Sequence, residues 1–393
     1  MSVAIQKTLS LLLVIGIGLL LKNKLDKKDH QQSIKVIILN VALPVVIFVA
    51  LMKLHIKADL LILPLLVLFF NVVFLGILKF VLPLYGVSKD SPEMRTYMLL
   101  IPSLAPGLSC FPFITEYIGE EALARGALAD IGNKIAVLFF SYMLAMHWFY
   151  QLNRNVKHSN NKKLKALLLG MLNEPINLIM ICALVLLGMG IYMEDFPLFM
   201  QDTLNLLGNL MTPLILLFIG IAVVFKWAQF KSIGRLLVFR CGAVFCLSAL
   251  LTAFMPGATY ASLMLAVVFP QSACSFWPFA HMAIVESMSK KEGDPKASPV
   301  FNNELAMNLL ALSLPFSTLV ILGIFTTGAF FTHTVNLLAI GVGLIGLSAL
   351  PSLFGAAKRK STKISNGQVA DYKLDEKEEL HTTELKIRVS SRI

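Results

Sequence analysis

The residues able to do chemistry are few, and they lie inside apolar stretches. Asp130 and Lys134 stand four positions apart, on one face of a helix, with Asn133 beside them. An ionisable group within a membrane segment is costly unless paired or wetted, so each is a functional candidate. Asp130 either neutralises Lys134 as an internal pair, or serves as a proton or cation site with Asn133 as a substrate ligand. Glu304 and Asn308 repeat the four-residue spacing with no cation between them, which suits either a proton carrier or a solvated carboxylate at the cytoplasmic end. Asn40 and Asn209 each precede a proline, Pro44 and Pro213, by one helical turn. There an amide can satisfy the carbonyl that the proline ring leaves unpaired, or contact a substrate. Arg240, deeper in its segment, can snorkel to the cytoplasmic face, and Glu286 reads as interfacial.

Two prolines interrupt apolar runs in related surroundings: Ser109-Cys110-Phe111-Pro112-Phe113 and Ser275-Phe276-Trp277-Pro278-Phe279. A proline at membrane depth frees backbone groups that lipid cannot satisfy, so the break must face protein or water. Half-helix N-termini at such breaks direct partial positive charge toward the midplane, a receptor for a carboxylate. Ser109, Ser275, Gln271 and Asn133 are expected to line that site, and Pro112 and Pro278 to hold its crossover. Asp130 or Glu304 would respond to a coupling proton or sodium ion. A proline kink with no substrate role is the competing reading.

The elements that must position these residues are membrane spans. Of 393 residues, 57% are hydrophobic and 15% charged, and the mean hydropathy is +0.76. This is too apolar for a soluble fold of such length. Windows able to cross ~30 Å of hydrocarbon fall at 3–21, 34–52, 60–84, 96–118, 128–150, 172–193, 204–225, 236–255, 259–286, 303–326 and 334–356. Lys and Arg concentrate in alternate connections, which places the N-terminus outside and the C-terminus in the cytoplasm. The formal charge of +11 therefore reports topology rather than nucleic-acid binding. The first span is expected to be retained, since no basic n-region precedes it. The five cysteines show no metal-ligand spacing and read as small buried residues.

The chain also repeats itself. Asn40-x-x-x-Pro44 recurs as Asn209-x-x-x-Pro213, and Ser109-x-x-Pro112-Phe113 as Ser275-x-x-Pro278-Phe279, in consistent order. With five spans per half, the second half must enter the membrane upside down. The fold expected is an all-α polytopic membrane protein built as an inverted 5+5 repeat. Residues 1–150 form the first repeat, 151–171 a basic cytoplasmic linker and 172–327 the second repeat. An extra span at 328–357 and a charged tail at 358–393 complete the chain.

Several short pieces resemble the auxin efflux carrier family across about residues 5–327: Asn40-Val41-Ala42-Leu43-Pro44, Gly119-Glu120-Glu121-Ala122-Leu123 leading into Asp130-Ile131-Gly132-Asn133, Asn173-Glu174-Pro175, Pro213 with Ile219-Gly220, and Gly293-Asp294-Pro295 before Leu314-Pro315. The resemblance implies crossed, unwound spans 4 and 9 and an elevator-like motion of a transport domain beside a scaffold. Leu108-Ser109-Cys110 departs from the Asn-Thr-Gly-type turn of many members, and the eleventh span is additional. The function expected is secondary transport of a small organic anion, a mono- or dicarboxylate, across the plasma membrane (the inner membrane in a bacterium). A sodium-coupled symporter of the bile acid type and a transporter-like membrane sensor are the alternatives. No enzyme motif and no Walker A sequence is present, so no ATP-driven or catalytic role is expected. The expected partners are the organic anion and the lipid bilayer, with a homodimer as an option and no nucleic acid.

Overall fold

The computed structural model describes residues 3–25, 28–53, 62–153, 175–222, 227–292 and 299–350, and no strand occurs among them. The 151–171 linker, the 358–393 tail, and the Asn173-Glu174 and Gly293-Asp294-Pro295 pieces lie largely or wholly outside the described residues. Seven helical segments are long and apolar enough to cross a membrane. The apolar windows at 3–21, 172–193 and 334–356 correspond to shorter apolar helices.

Helix α1 is Val3–Leu21. Helices α2 (Lys28–Ile37) and α3 (Leu43–Met52) join through a π-helical turn at Ile38–Ala42. Pro44 lacks the N–H that would bond the carbonyl four residues back, so the register slips just ahead of it. Helix α4 (Ile62–Val81) leads to three short pieces: α5 (Pro92–Leu100), α6 (Pro106–Ser109) and α7 (Phe111–Tyr117). Helices α8 (Glu120–Ile135) and α9 (Ser141–Leu152) again join through a π-turn, Ala136–Phe140. Beyond them come α10 (Pro175–Gly188), α11 (Leu198–Gly208), α12 (Met211–Ala222), α13 (Trp227–Ala253), α14 (Tyr260–Val268), α15 (Phe276–Glu292) and α16 (Asn303–Thr327). Helix α17 is Thr334–Leu350.

Helices in lipid associate through close packing, which favours small residues where backbones approach. Helices α1 and α12 meet at Gly18 and Gly220, where a Cβ on either would strike the other helix's backbone. Gly132 of α8 lies against the Pro64 carbonyl of α4 in the same manner, and Gly242 of α13 against Gly341 of α17. Outward-facing side chains are large and apolar, among them Leu20, Phe80, Leu198 and Val335, as a lipid-facing surface requires. One cysteine belongs to this outer face: Cys182 is exposed, contrary to the expectation that all five are buried.

The breaks sit upstream of the prolines that announce them. The helix stops at Leu100, residues 101–105 are non-helical, and Pro112 lies in the first turn of α7. In the later segment residues 272–275 are non-helical, and Pro278 lies in the first turn of α15. The first turn of a helix has no intrahelical use for its N–H groups, so a proline is accommodated there without breaking anything. Pro112 and Pro278 thus start helices, and the interruption falls on Ile101–Ala105 and Ser272–Ser275.

Candidate functional site

The two non-helical segments touch. The Ala105 N–H donates to the Ala273 carbonyl at 2.8 Å. Freed backbone groups at this depth need partners, and serine side chains supply several. Ser109 Oγ accepts from the Ala273 N–H at 2.9 Å and donates to the Ala105 carbonyl at 2.8 Å. Ser103 Oγ accepts from the Ser275 N–H at 2.9 Å, and Ser313 Oγ from the Cys274 N–H at 3.2 Å. Ser275 Oγ accepts from the Trp277 N–H at 3.3 Å, inside the first turn of α15. Gln271 donates through Nε2 to the Cys241 carbonyl at 3.1 Å.

Asn133 joins α8 to this junction. Its Oδ1 accepts from the Leu104 N–H at 3.2 Å, and its Nδ2 donates to the Leu104 carbonyl at 2.9 Å and to Asp130 Oδ1 at 2.8 Å. Asp130, Asn133 and Lys134 are all buried. From the other side Arg240 of α13 donates through Nε to the Ile101 carbonyl at 2.8 Å, and through Nη2 to the Ser272 carbonyl at 2.7 Å and the Ser103 carbonyl at 3.4 Å. Arg240 is only 2% exposed, so it does not snorkel to an interface. Its helix is rotated to aim the guanidinium at the junction, where carbonyl oxygens replace the water it would otherwise seek.

Beside the junction lies a cavity of about 410 Å³. Its charged lining is Lys35 from α2 with Asp130 and Lys134 from α8; Asn133, Ser275 and Ser313 are its other polar side chains, beside the first residues of α15. Leu43, Phe111, Phe218 and Trp277 contribute to an apolar remainder. Lys35 Nζ stands 5.0 Å from the Phe276 ring centroid, a cation–π contact at the start of α15. The arrangement can receive an anionic head against two ammonium groups and a helix N-terminus, with an apolar body beside it.

The candidate residues are only partly gathered here. Asp130, Asn133 and Ser275 line the cavity. Ser109 and Gln271 lie buried within the junction, and Pro112 and Pro278 open the helices that leave it. Asn40 is exposed on its π-turn and lines none of the described cavities; Asn209 is exposed and lines a second cavity of about 320 Å³ between α1, α3, α7, α11 and α12. Glu304 is exposed in the first turn of α16, where a carboxylate complements the helix dipole. Glu286, at the same end, is exposed and accepts from Asn303 Nδ2. The sequence reading did not single out Lys35. The signal was there: Lys35, Leu39 and Leu43 recur every four residues, and all three line the cavity.

The seven long apolar helices make this a multi-pass membrane protein. No protein-family model matches the chain. It is 25% identical over 224 residues, 54% of this chain and 68% of the other, to an uncharacterized transporter of Methanocaldococcus jannaschii. That is a distant similarity, to a protein named as a transporter.

Proposed function

We propose that the chain is a secondary transporter of a small organic anion, a carboxylate, working by elevator-like alternating access. The observation that carries this reading is the convergence of Lys35, Lys134 and the α15 N-terminus on one cavity beside two broken membrane segments. Broken helices at membrane depth expose dipole ends that hydrocarbon cannot satisfy, and transporters use them to hold ions. The transporter name borne by the archaeal relative and the apolar helices agree with it. The inverted 5+5 repeat is part of the proposal, supported by the recurring Asn-x-x-x-Pro and Ser-x-x-Pro-Phe pieces. So are membership of the auxin efflux carrier family and an external N-terminus at the plasma membrane.

In this reading Asn133 positions Asp130 and the 101–105 segment. The serines hold the junction closed, and the lysines recognise the anion. Liposomes holding the purified chain are expected to take up labelled carboxylates. Lys35→Gln and Lys134→Gln each remove one charge-assisted contact worth ~1.5–3 kcal/mol, which raises KM roughly 10- to 150-fold. Uptake that is absent for every carboxylate tried, or a KM unchanged in both variants, would refute the proposal.

A further inference from the structure

Arg240 is a full positive charge, 2% exposed, and it makes no ion pair among the described residues. Its three bonded partners are main-chain carbonyls, those of Ile101, Ser103 and Ser272. Ile101 is the C-cap of α5, and Ser272 the C-cap of the 3-10 turn Phe269–Gln271 that follows α14. The guanidinium therefore sits where two helical C-termini converge, each with its partial negative charge.

Carbonyls of unwound membrane helices and the C-terminal ends of half-helices form the surroundings in which a coupling alkali cation is bound. Here the two faces of the junction differ in net sign. The α15 N-terminus and two lysines, set against the one carboxylate of Asp130, look into the cavity, while the C-terminal carbonyls look toward Arg240. A desolvated guanidinium with no carboxylate is costly unless its donors are met, and these carbonyls take up Nε and Nη2, three of its five N–H groups. A metal ion on the same oxygens would lie beside the guanidinium charge, which repels it where water does not screen the two.

We propose that Arg240 is the resident cation of the junction. Its guanidinium occupies the carbonyl-lined position an alkali ion would need, so the chain moves its anion without sodium. The functional half of this statement rests on the transport reading above; the occupancy half does not.

The test is thermal melting of the purified full chain in sodium, potassium or choline chloride at equal ionic strength. The wild type is expected to melt at one temperature in all three. Arg240→Ala is expected to melt lower in choline and to regain several degrees, saturably, in sodium or potassium, because the vacated carbonyls then bind the ion. Arg240→Lys retains a charge and is expected to stay insensitive to the cation. A saturable rise with sodium in the wild type overturns the proposal, as does a folded Arg240→Ala that no alkali ion stabilises. Should Arg240→Ala not be recoverable in choline, purification in sodium or potassium must restore a monodisperse product. Failure to do so while Arg240→Lys purifies normally also overturns it. Uptake in sodium-free liposomes separates the two readings. Flux that appears only with sodium sinks this inference, whereas no carboxylate flux in any buffer sinks the transport reading and leaves the melting result standing.

Discussion

Replacing Asn133 by leucine, nearly the same size, tests how the broken segment is held. The amide makes three hydrogen bonds, to the Leu104 N–H, the Leu104 carbonyl and Asp130, at 3.2, 2.9 and 2.8 Å. Residues 103–105 are non-helical, so Leu104 has no helical ladder to fall back on. Side-chain hydrogen bonds between membrane helices average ~0.6 kcal/mol, so the loss of the two that cross to Leu104 sets a floor of ~1 kcal/mol. Each orphaned buried backbone group costs ~1–3 kcal/mol, and two of them bring the ceiling to ~6 kcal/mol. Asn71→Leu is the control. Asn71 is also buried, but it donates to the Val67 carbonyl of its own helix at 2.9 Å, an oxygen the helix ladder already uses. That variant should lose less than ~1 kcal/mol. Reversible unfolding of both in mixed micelles reads the difference directly. An Asn133→Leu cost below ~1 kcal/mol, or no greater than that of Asn71→Leu, would show that Asn133 does not hold the segment.

Two further predictions concern packing and pH. Gly132→Ala places a Cβ on the Pro64 carbonyl and should lose ~1–3 kcal/mol by forcing α8 from α4, whereas Gly76→Ala, with open space around it, should be neutral or gain up to ~1 kcal/mol; equal melting temperatures for the two would refute the close crossing. Asn302 Nδ2 donates to Glu93 Oε1 at 3.0 Å and, with the backbone at the start of α5, holds that carboxyl below its ordinary range. Its stabilisation is therefore present above the ordinary carboxylate pKa and is lost as pH falls through the lower native value. The melting temperature of the wild type should exceed that of Glu93→Gln at neutral pH and converge on it in acid, and a gap that widens in acid would contradict the assignment.

The apolar windows were legible because hydrocarbon imposes length and composition on a span whatever its partners. Asp130 and Asn133 were legible for the complementary reason, that polar groups at such depth need a purpose. The position of the breaks was not. Pro112 and Pro278 look like interruptions in one dimension, yet a proline in a first turn interrupts nothing, and the unwinding falls upstream, on the segment that contains Pro102 and the one that follows Pro270. Arg240 misled because helix rotation, invisible in a single sequence, decides whether a long cation reaches outward to water or inward to carbonyls. The orientation of Asn40 and Asn209 was hidden for the same reason: their motifs perturb the helices, by a π-turn and by the break between α11 and α12, while the amides themselves are exposed.

For the carboxylate transport proposed above, charge closure sets a preference that the cavity's shape does not. Lys35, Lys134 and Asp130 are its charged lining residues, two cations and one anion, for a formal charge of +1. A monocarboxylate brings the sum to zero. A dicarboxylate overshoots to −1 in surroundings that are mostly apolar, where an uncompensated charge is expensive. Ser109 and Ser103 cannot offset it, because both are already spent on the backbone of the junction. Asp130→Asn keeps a side chain of the same size and raises the lining to +2, which matches a dianion. In competition against a labelled monocarboxylate, the wild type should therefore prefer monocarboxylates over dicarboxylates of equal length. Asp130→Asn should shift that ratio toward the dicarboxylate by roughly tenfold or more, the equivalent of ~1.4 kcal/mol for one partly desolvated charge. A wild type that favours dicarboxylates, or a ratio unmoved by the substitution, would mean that the three side chains do not set the charge the anion meets.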